Sequence, residues 1–149
     1  MTQVSCTVGI FAHNEENNIG QLLQIMLEQQ LETAAIREII VVSSGSTDAT
    51  EDIVRDFAAR DVRIRLLIQA RREGKASAIN LFLKHQTERV LVICSADLQP
   101  QPDAIEKLVA PFADPEMGMT SRLNIPKKTV VLIASLNFDP RNRRLRATA

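Results

Sequence analysis

Four short polar stretches carry the residues able to do chemistry: "AHNEENN" (12–18), "SSGSTD" (43–48), "RREGK" (71–75) and "SADLQP" (95–100). The last of them closes an apolar run on a single carboxylate, Asp97. Ser95 stands where sites that hold a divalent cation against a phosphate often carry a second acid. A small hard cation takes few protein ligands and completes its shell with phosphate oxygens and water, so one well-placed carboxylate can suffice. The competing reading makes Asp97 a turn former that caps the bend at 98–102. Lys75 follows Gly74 at a helix start, where an ammonium and the positive end of a helix together suit a diphosphate. The alternative is an exposed loop with solvated cations. Gly45 permits a close approach of backbone to a ligand. Asn14, Glu15 and Glu16 also read as an N-cap with acids in the first helical turn. Asp48, with Glu51 three residues on, has the spacing of a capping box.

Other chemistries are absent from the pattern. The five glycines, at 9, 20, 45, 74 and 118, form no G-x-G-x-x-G. Gln69 occupies the position where a Walker loop ending in Gly74-Lys75 needs its first glycine. There is no G-x-S-x-G elbow for a serine hydrolase. His13 is read as a loop residue near the site and His85 as an exposed helix end; neither has a metal-like partner at short spacing. Cys6 and Cys94 lie inside apolar runs and are expected to be buried thiols in a reducing cytosol. With five Phe and no Trp or Tyr, the chain lacks stacking platforms for single strands, and no nucleic-acid partner is expected. No apolar run approaches the roughly 18 residues of a membrane span, and the amino-terminal residues carry no basic leader.

The elements that must position these stretches follow one grammar repeated four times over residues 4–112: apolar strand, polar turn, amphipathic helix. The strands are expected at Val4–Ala12, Glu38–Ser43, Ile64–Gln69 and Val90–Ser95. The first helix shows Ile19, Leu22, Leu23 and Met26 at helical spacing. The second starts at Asp48 and buries Ile53, Val54 and Phe57. The third starts near Lys75 and buries Ile79, Phe82 and Leu83. The fourth has Pro102 and Asp103 at its start and turns Ile105, Leu108 and Val109 inward. Alternating strands and helices imply parallel pairing with right-handed crossovers, hence an α/β three-layer αβα sandwich of Rossmann-like type. The expected strand order is 3-2-1-4, with the ligand site at the switch point between strands one and four.

After Pro111 the grammar stops. "ADPEMGMTSRLNIPKK" reads as a turn-rich connection, and "TVVLIAS" (129–135) as an extra strand. The charge changes there as well. Residues 1–121 hold 11 basic and 17 acidic side chains, whereas residues 122–149 hold 7 and 1. The chain is therefore divided into a domain over 1–121 and a basic, partly disordered extension over 122–149.

Taken in order, Asn14-Glu15-Glu16, Gly45-Ser46-Thr47-Asp48, Gly74-Lys75 and Asp97, each after a successive strand, resemble the nucleotide-sugar-binding half of a family 2 glycosyltransferase with the GT-A fold. The resemblance implies a nucleoside-diphosphate sugar donor and Mg²⁺ or Mn²⁺. It makes Asp97 the metal ligand, as the last acid of the D-x-D signature, with Ser95 departing from the first. It places Glu15 near the ribose. It puts Ser43 and Ser44 where "DDGSTD" acids usually touch the base, and Lys75 and Arg71 near the nucleotide. The implied donor-binding set is Ala12, Asn14, Glu15, Ser43, Ser44, Gly45, Arg71, Gly74, Lys75, Ser95 and Ala96.

The implied reaction is inverting transfer to a saccharide or lipid acceptor. Its general base is not identified among Asp103, Glu106, Asp114, Glu116 and Asp139. The chain is shorter than the family's catalytic domain. The expectation is a truncated donor half, acting with a partner chain or surviving as an inactive remnant, cytoplasmic or peripheral to the inner membrane face. A nucleotidyltransferase-like enzyme is the third reading; it calls for a Gly/Arg/Lys-rich loop after strand one, where "AHNEENN" is acidic. Truncation would also leave strand four as an open edge and predicts self-association through residues 129–135.

Overall fold

The structure, a computed structural model, describes residues 3–113, 119–121 and 132–135. Four parallel strands, β1 (Val4–Ala12), β2 (Ala34–Ser44), β3 (Ile64–Gln69) and β4 (Val90–Ser95), alternate with α1 (Ile19–Leu27), α2 (Thr50–Arg60), α3 (Lys75–His85) and α4 (Ala104–Val109). The sheet order is β3-β2-β1-β4, extended by β6 (Leu132–Ser135) and β5 (Met119–Ser121). Winding runs from β1 outward to β3, then returns across β1 to β4. Right-handed crossovers therefore put α1 and α2 on one face and α3 on the other. The core divides accordingly. Val8, Ile10, Ile39, Val41 and Val92 pack with Leu22, Leu23, Met26, Val54, Ile105 and Leu108 on one face. Ile40, Val42 and Leu91 pack with Ala78, Phe82 and Leu83 on the other. Period-two alternation along each buried strand produces this split. Gly9 makes room for α3: a Cβ there would lie 2.8 Å from the Phe82 ring. That ring meets Phe11 edge-on, with centroids 5.8 Å apart.

β2 begins four residues earlier than its apolar run suggests. Ala34–Ile36 pair with Val4–Cys6, and the register shifts between Cys6 and Thr7, leaving Arg37 without a cross-strand partner. Such a bulge lets a charged residue sit within a strand. Glu106 of α4 fixes the strand's entry. Its carboxylate accepts the amides of Thr33 at 2.7 Å, Ala34 at 2.9 Å and Glu32 at 3.0 Å. Desolvation opposes the charge on Glu106, but the amides of Ala34, Thr33 and Glu32 outweigh it and hold the carboxyl below its ordinary 4.5. A depressed carboxylate stabilises the fold above its unfolded pKa, and that stability is lost as pH falls through the folded value. Urea midpoints are therefore expected to decline from about pH 4.5 downward, and Glu106→Gln should flatten that decline. Equal acid slopes in both proteins would contradict it.

Beyond α4, a 3-10 turn spans Ala110–Ala113. β6 lies within the stretch read as an extra strand, and it runs antiparallel to β4, pairing Val90–Ile93 with Ser135–Leu132. This corrects the expectation of an open edge at strand four: its backbone groups over Val90–Ile93 already have partners. β5, antiparallel to β6, falls within the segment read as a turn-rich connection. Three residues are too few for periodicity to register. The sheet thus crosses the boundary drawn from charge between residues 121 and 122. The rest of the extension read as partly disordered, together with Asp114, Glu116 and Asp139, lies outside the described residues.

Candidate functional site

The carboxyl ends of β1 to β4 open onto one cavity of about 330 Å³. Phe11, Ala12, Val42, Ala78 and Ala96 supply its apolar lining, and His13, Glu15, Ser44, Arg72, Gly74, Lys75, Ser95 and Asp97 its polar one. Parallel winding brings all four loops to this side of the sheet.

The first two loops are latched to each other. Asn14 adopts a left-handed φ of 50°. Its Oδ1 accepts the Thr47 amide at 2.7 Å, and its own amide donates to Ser46 Oγ at 3.2 Å. Asn is among the few residues that tolerate this conformation, because its short side chain bonds locally. The Glu15 amide donates to Thr50 Oγ1 at 2.8 Å, and Glu16 and Asp48 carboxylates accept amides across the gap, from Ala49 and Glu16. Asn14 is thereby turned toward the second loop, while its neighbours His13 and Glu15 line the cavity. The Glu15 carboxylate accepts Asn18 Nδ2 at 2.8 Å. α1 starts at Ile19 with no acid in its first turn, so the N-cap reading of Asn14–Glu16 is not realised.

The capping box is not realised either. Asp48 Oδ1 accepts the amide of Thr50, only two residues on, and the Thr50 hydroxyl as well. Glu51 turns away, to Ser43 Oγ at 2.9 Å. Desolvation pushes the Asp48 carboxyl up, but the Thr50 hydroxyl and amide and the Glu16 amide hold it below its ordinary 3.8. Ser43 Oγ also lies 2.8 Å from Ser46 Oγ. The fully buried Ser43 hydroxyl is consumed beneath the loop, and Ser43 does not line the cavity.

Ser44 does line it, with its carbonyl 2.7 Å from His13 Nδ1 and its hydroxyl 3.4 Å from the Arg71 carbonyl. Gly45 closes this corner with φ 61°, and its amide donates to Gln69 O at 2.9 Å. A Cβ on Gly45 would stand 2.6 Å from the Arg72 amide nitrogen, so the close approach this glycine permits is to the third loop's backbone. Gly45→Ala is expected to cost more than about 1 kcal/mol, from the left-handed φ and the clash together. Equilibrium denaturation measures this; an unchanged midpoint would refute it.

From the third loop, Arg72 lines the cavity and Arg71 does not. Gly74 sits at φ 90° and ψ 164°, a region essentially confined to glycine, and delivers Lys75 as the first residue of α3. The first amides of a helix have no partners within it and carry its positive end. The fourth loop turns through Ser95–Leu98, closed by the Leu98 amide on Ser95 O at 3.3 Å, with Leu98 buried. The Asp97 side chain takes no part in that turn. Among the described residues, Asp97, Arg72 and Lys75 have no hydrogen-bond or ion-pair partner, so these charges are free to meet a ligand. No group of three or more His, Cys, Asp or Glu able to hold a metal occurs among the described residues. A cation at Asp97 would have to share its shell with ligand oxygens, a donor set that suits Mg²⁺ or Mn²⁺.

Phe11, Val42 and Ala78 were not expected in the site. Strand alternation marks them: Phe11 and Val42 project to the α3 face, opposite Ile10 and Val41.

The sequence matches the family model described as glycosyl transferase family 2 over residues 7–144. Over 136 residues it is 29% identical to a dolichyl-phosphate beta-glucosyltransferase of Trichomonas vaginalis, covering 88% of this chain and 38% of that protein. It is 30% identical over 104 residues to an undecaprenyl-phosphate 4-deoxy-4-formamido-L-arabinose transferase of Edwardsiella ictaluri, covering 69% and 32%. The fold is similar to that of a mannosyltransferase from Pyrobaculum calidifontis solved with GDP-Man and Mn²⁺. The TM-score is 0.73 and the identity 32%, over 86% of this chain and 38% of the other. Glucosyl-3-phosphoglycerate synthase from Mycobacterium tuberculosis, solved with Mn²⁺, UDP and phosphoglyceric acid, gives 0.64 and 25% over 78% and 41%. The chain thus spans about two fifths or less of the length of these proteins. No helix among the described residues is long and apolar enough to cross a membrane.

Proposed function

The chain belongs to glycosyl transferase family 2, and from that premise we propose that its cavity is the donor site for a nucleoside-diphosphate sugar, bound with Mg²⁺ or Mn²⁺. One observation carries the reading. Asp97, Lys75, Arg72, Gly74, Ser44 and Glu15, from four loops distant in sequence, line a single cavity at the switch point between β1 and β4. Lys75 and Arg72, with the amino end of α3, bind the diphosphate. Asp97 would hold the divalent cation, and the Ser95 hydroxyl beside it could accept a hydrogen bond from a water on that ion. When bound, such a cation would supply neutralisation of the charge on the departing diphosphate. Glu15, held by Asn18, accepts a ribose hydroxyl. Ser44 replaces an acid at the base, and Ala12 and Ala96 leave room beside it.

The reaction served is inverting displacement at the anomeric carbon. A lipid-linked acceptor is the favoured class, because two relatives are named for dolichyl-phosphate and undecaprenyl-phosphate substrates. The 7 basic residues over 122–149 suit an anionic membrane surface, which supports action at the inner face of a membrane. None of the described carboxylates is assigned as the general base. Asp103 ion-pairs with Lys107 at 2.5 Å, and Glu106 is spent on backbone amides.

Calorimetry with GDP, UDP and their sugars, with and without Mn²⁺, tests the donor site. The expected result is binding of at least one nucleoside diphosphate that strengthens with the cation. Absence of binding by all of them would leave only a fold.

A further inference from the structure

Glu73 is the one carboxylate of the third loop, and it stands between two cations of the cavity: Arg72 precedes it, and Lys75 follows after Gly74. Arg72, Gly74 and Lys75 line the cavity, whereas Glu73 does not. A carboxylate so placed is attracted to the amino end of the helix that follows. α3 presents such an end with no side-chain cap and no acid in its first turn. Only Gly74 separates Glu73 from it, and a Cβ at Gly74 would meet nothing within 4 Å, so no side chain packs into that gap. Instead, the carboxylate is tied by a side chain. Ser77 Oγ donates to Glu73 Oε2 at 3.2 Å and accepts Gln69 Nε2 at 3.0 Å. A hydroxyl has one proton to give, and the amide donor behind it leaves that proton for the carboxylate. Gln69 is buried, and its backbone is fixed at the end of β3, opposite Ser44 and accepting the Gly45 amide. The chain Gln69–Ser77–Glu73 therefore roots the acid in the sheet.

Resting on the donor-site reading, we infer that Ser77, backed by Gln69, is a positioning residue that holds the Glu73 carboxylate away from the amino end of α3 and so keeps Lys75, Arg72 and the helix amides open to an anion. Neither Ser77 nor Gln69 lines the cavity, so both act through Glu73. Released from Ser77, the carboxylate competes with a diphosphate for the same two cations and the same helix end, and it repels the anion as well.

The test titrates inorganic pyrophosphate, with Mn²⁺, into wild-type protein, Ser77→Ala, Glu73→Gln and the double variant. Alanine is the best helix former, so Ser77→Ala removes the hydroxyl without weakening α3. The expected result is that Ser77→Ala binds pyrophosphate roughly 2- to 5-fold more weakly, the scale of one exposed ion pair. In the Glu73→Gln background the same substitution should cost nothing, because the released side chain no longer carries a charge. An equal loss in both backgrounds would make Ser77 a structural residue of α3 only and overturn the inference, as would no loss in either. The donor site would survive both results, since wild type still binds. Wild-type protein that binds neither pyrophosphate nor any nucleoside diphosphate would remove the donor site and this inference with it. Salt supplies a second readout: the loss in Ser77→Ala should shrink as ionic strength rises, because an exposed carboxylate is screened. A loss independent of salt would contradict the inference.

Discussion

Asp97→Asn is expected to abolish the Mn²⁺-dependent part of nucleoside-diphosphate binding. Deleting groups that merely orient a metal ligand costs about 10- to 100-fold in metal affinity, and loss of the proposed ligand itself should exceed that range. The structure gives the reason. Asp97 stands at the cavity on a turn closed by backbone and anchored by buried Leu98, and its carboxylate has no partner among the described residues. The fold does not use this side chain, so the substitution should leave the unfolding midpoint within error. Calorimetric titration of both proteins with and without Mn²⁺ measures the effect. If the variant kept the wild-type response to the cation, Asp97 would be a turn residue and no more.

Lys75→Gln is expected to weaken pyrophosphate and nucleoside diphosphates alike, by about 10- to 100-fold, the scale of a hydrogen bond to a charged group. Lys75 is the first residue of α3 and lines the cavity, so a diphosphate bound there would meet both its ammonium and the first amides of the helix. The loss should shrink as salt is raised, because an exposed cation is screened. Affinity for pyrophosphate that stayed unchanged in Lys75→Gln would place the diphosphate elsewhere in the cavity.

Much of this architecture is legible without coordinates. β1, β3 and β4 begin and end where apolar continuity and flanking polar turns place them, and the order β3-β2-β1-β4 follows from alternation and handedness. The convergence of Gly74, Lys75, Ser95 and Asp97 with the ends of β1 and β2 follows from the same topology. The differences have local causes. Long-range side-chain bonds do not register in periodicity, so Glu106 could extend β2 to Ala34 unseen. Capping patterns describe a helix in isolation. Here Glu51 serves Ser43, and Asn14 serves the neighbouring loop. The choice between Arg71 and Arg72 depends on how Gly45 packs against that backbone, which no spacing rule encodes. β5 and β6 are too short to announce their pairing.

Anomalous scattering from a crystal of the protein grown with Mn²⁺ and a nucleoside diphosphate tests the account most directly. The account predicts one Mn²⁺ peak about 2 Å from an Asp97 carboxylate oxygen, with the diphosphate bridging from the ion to Lys75 at the start of α3. A nucleotide bound away from the ends of β1 and β4, or an ion that does not touch Asp97, would contradict it.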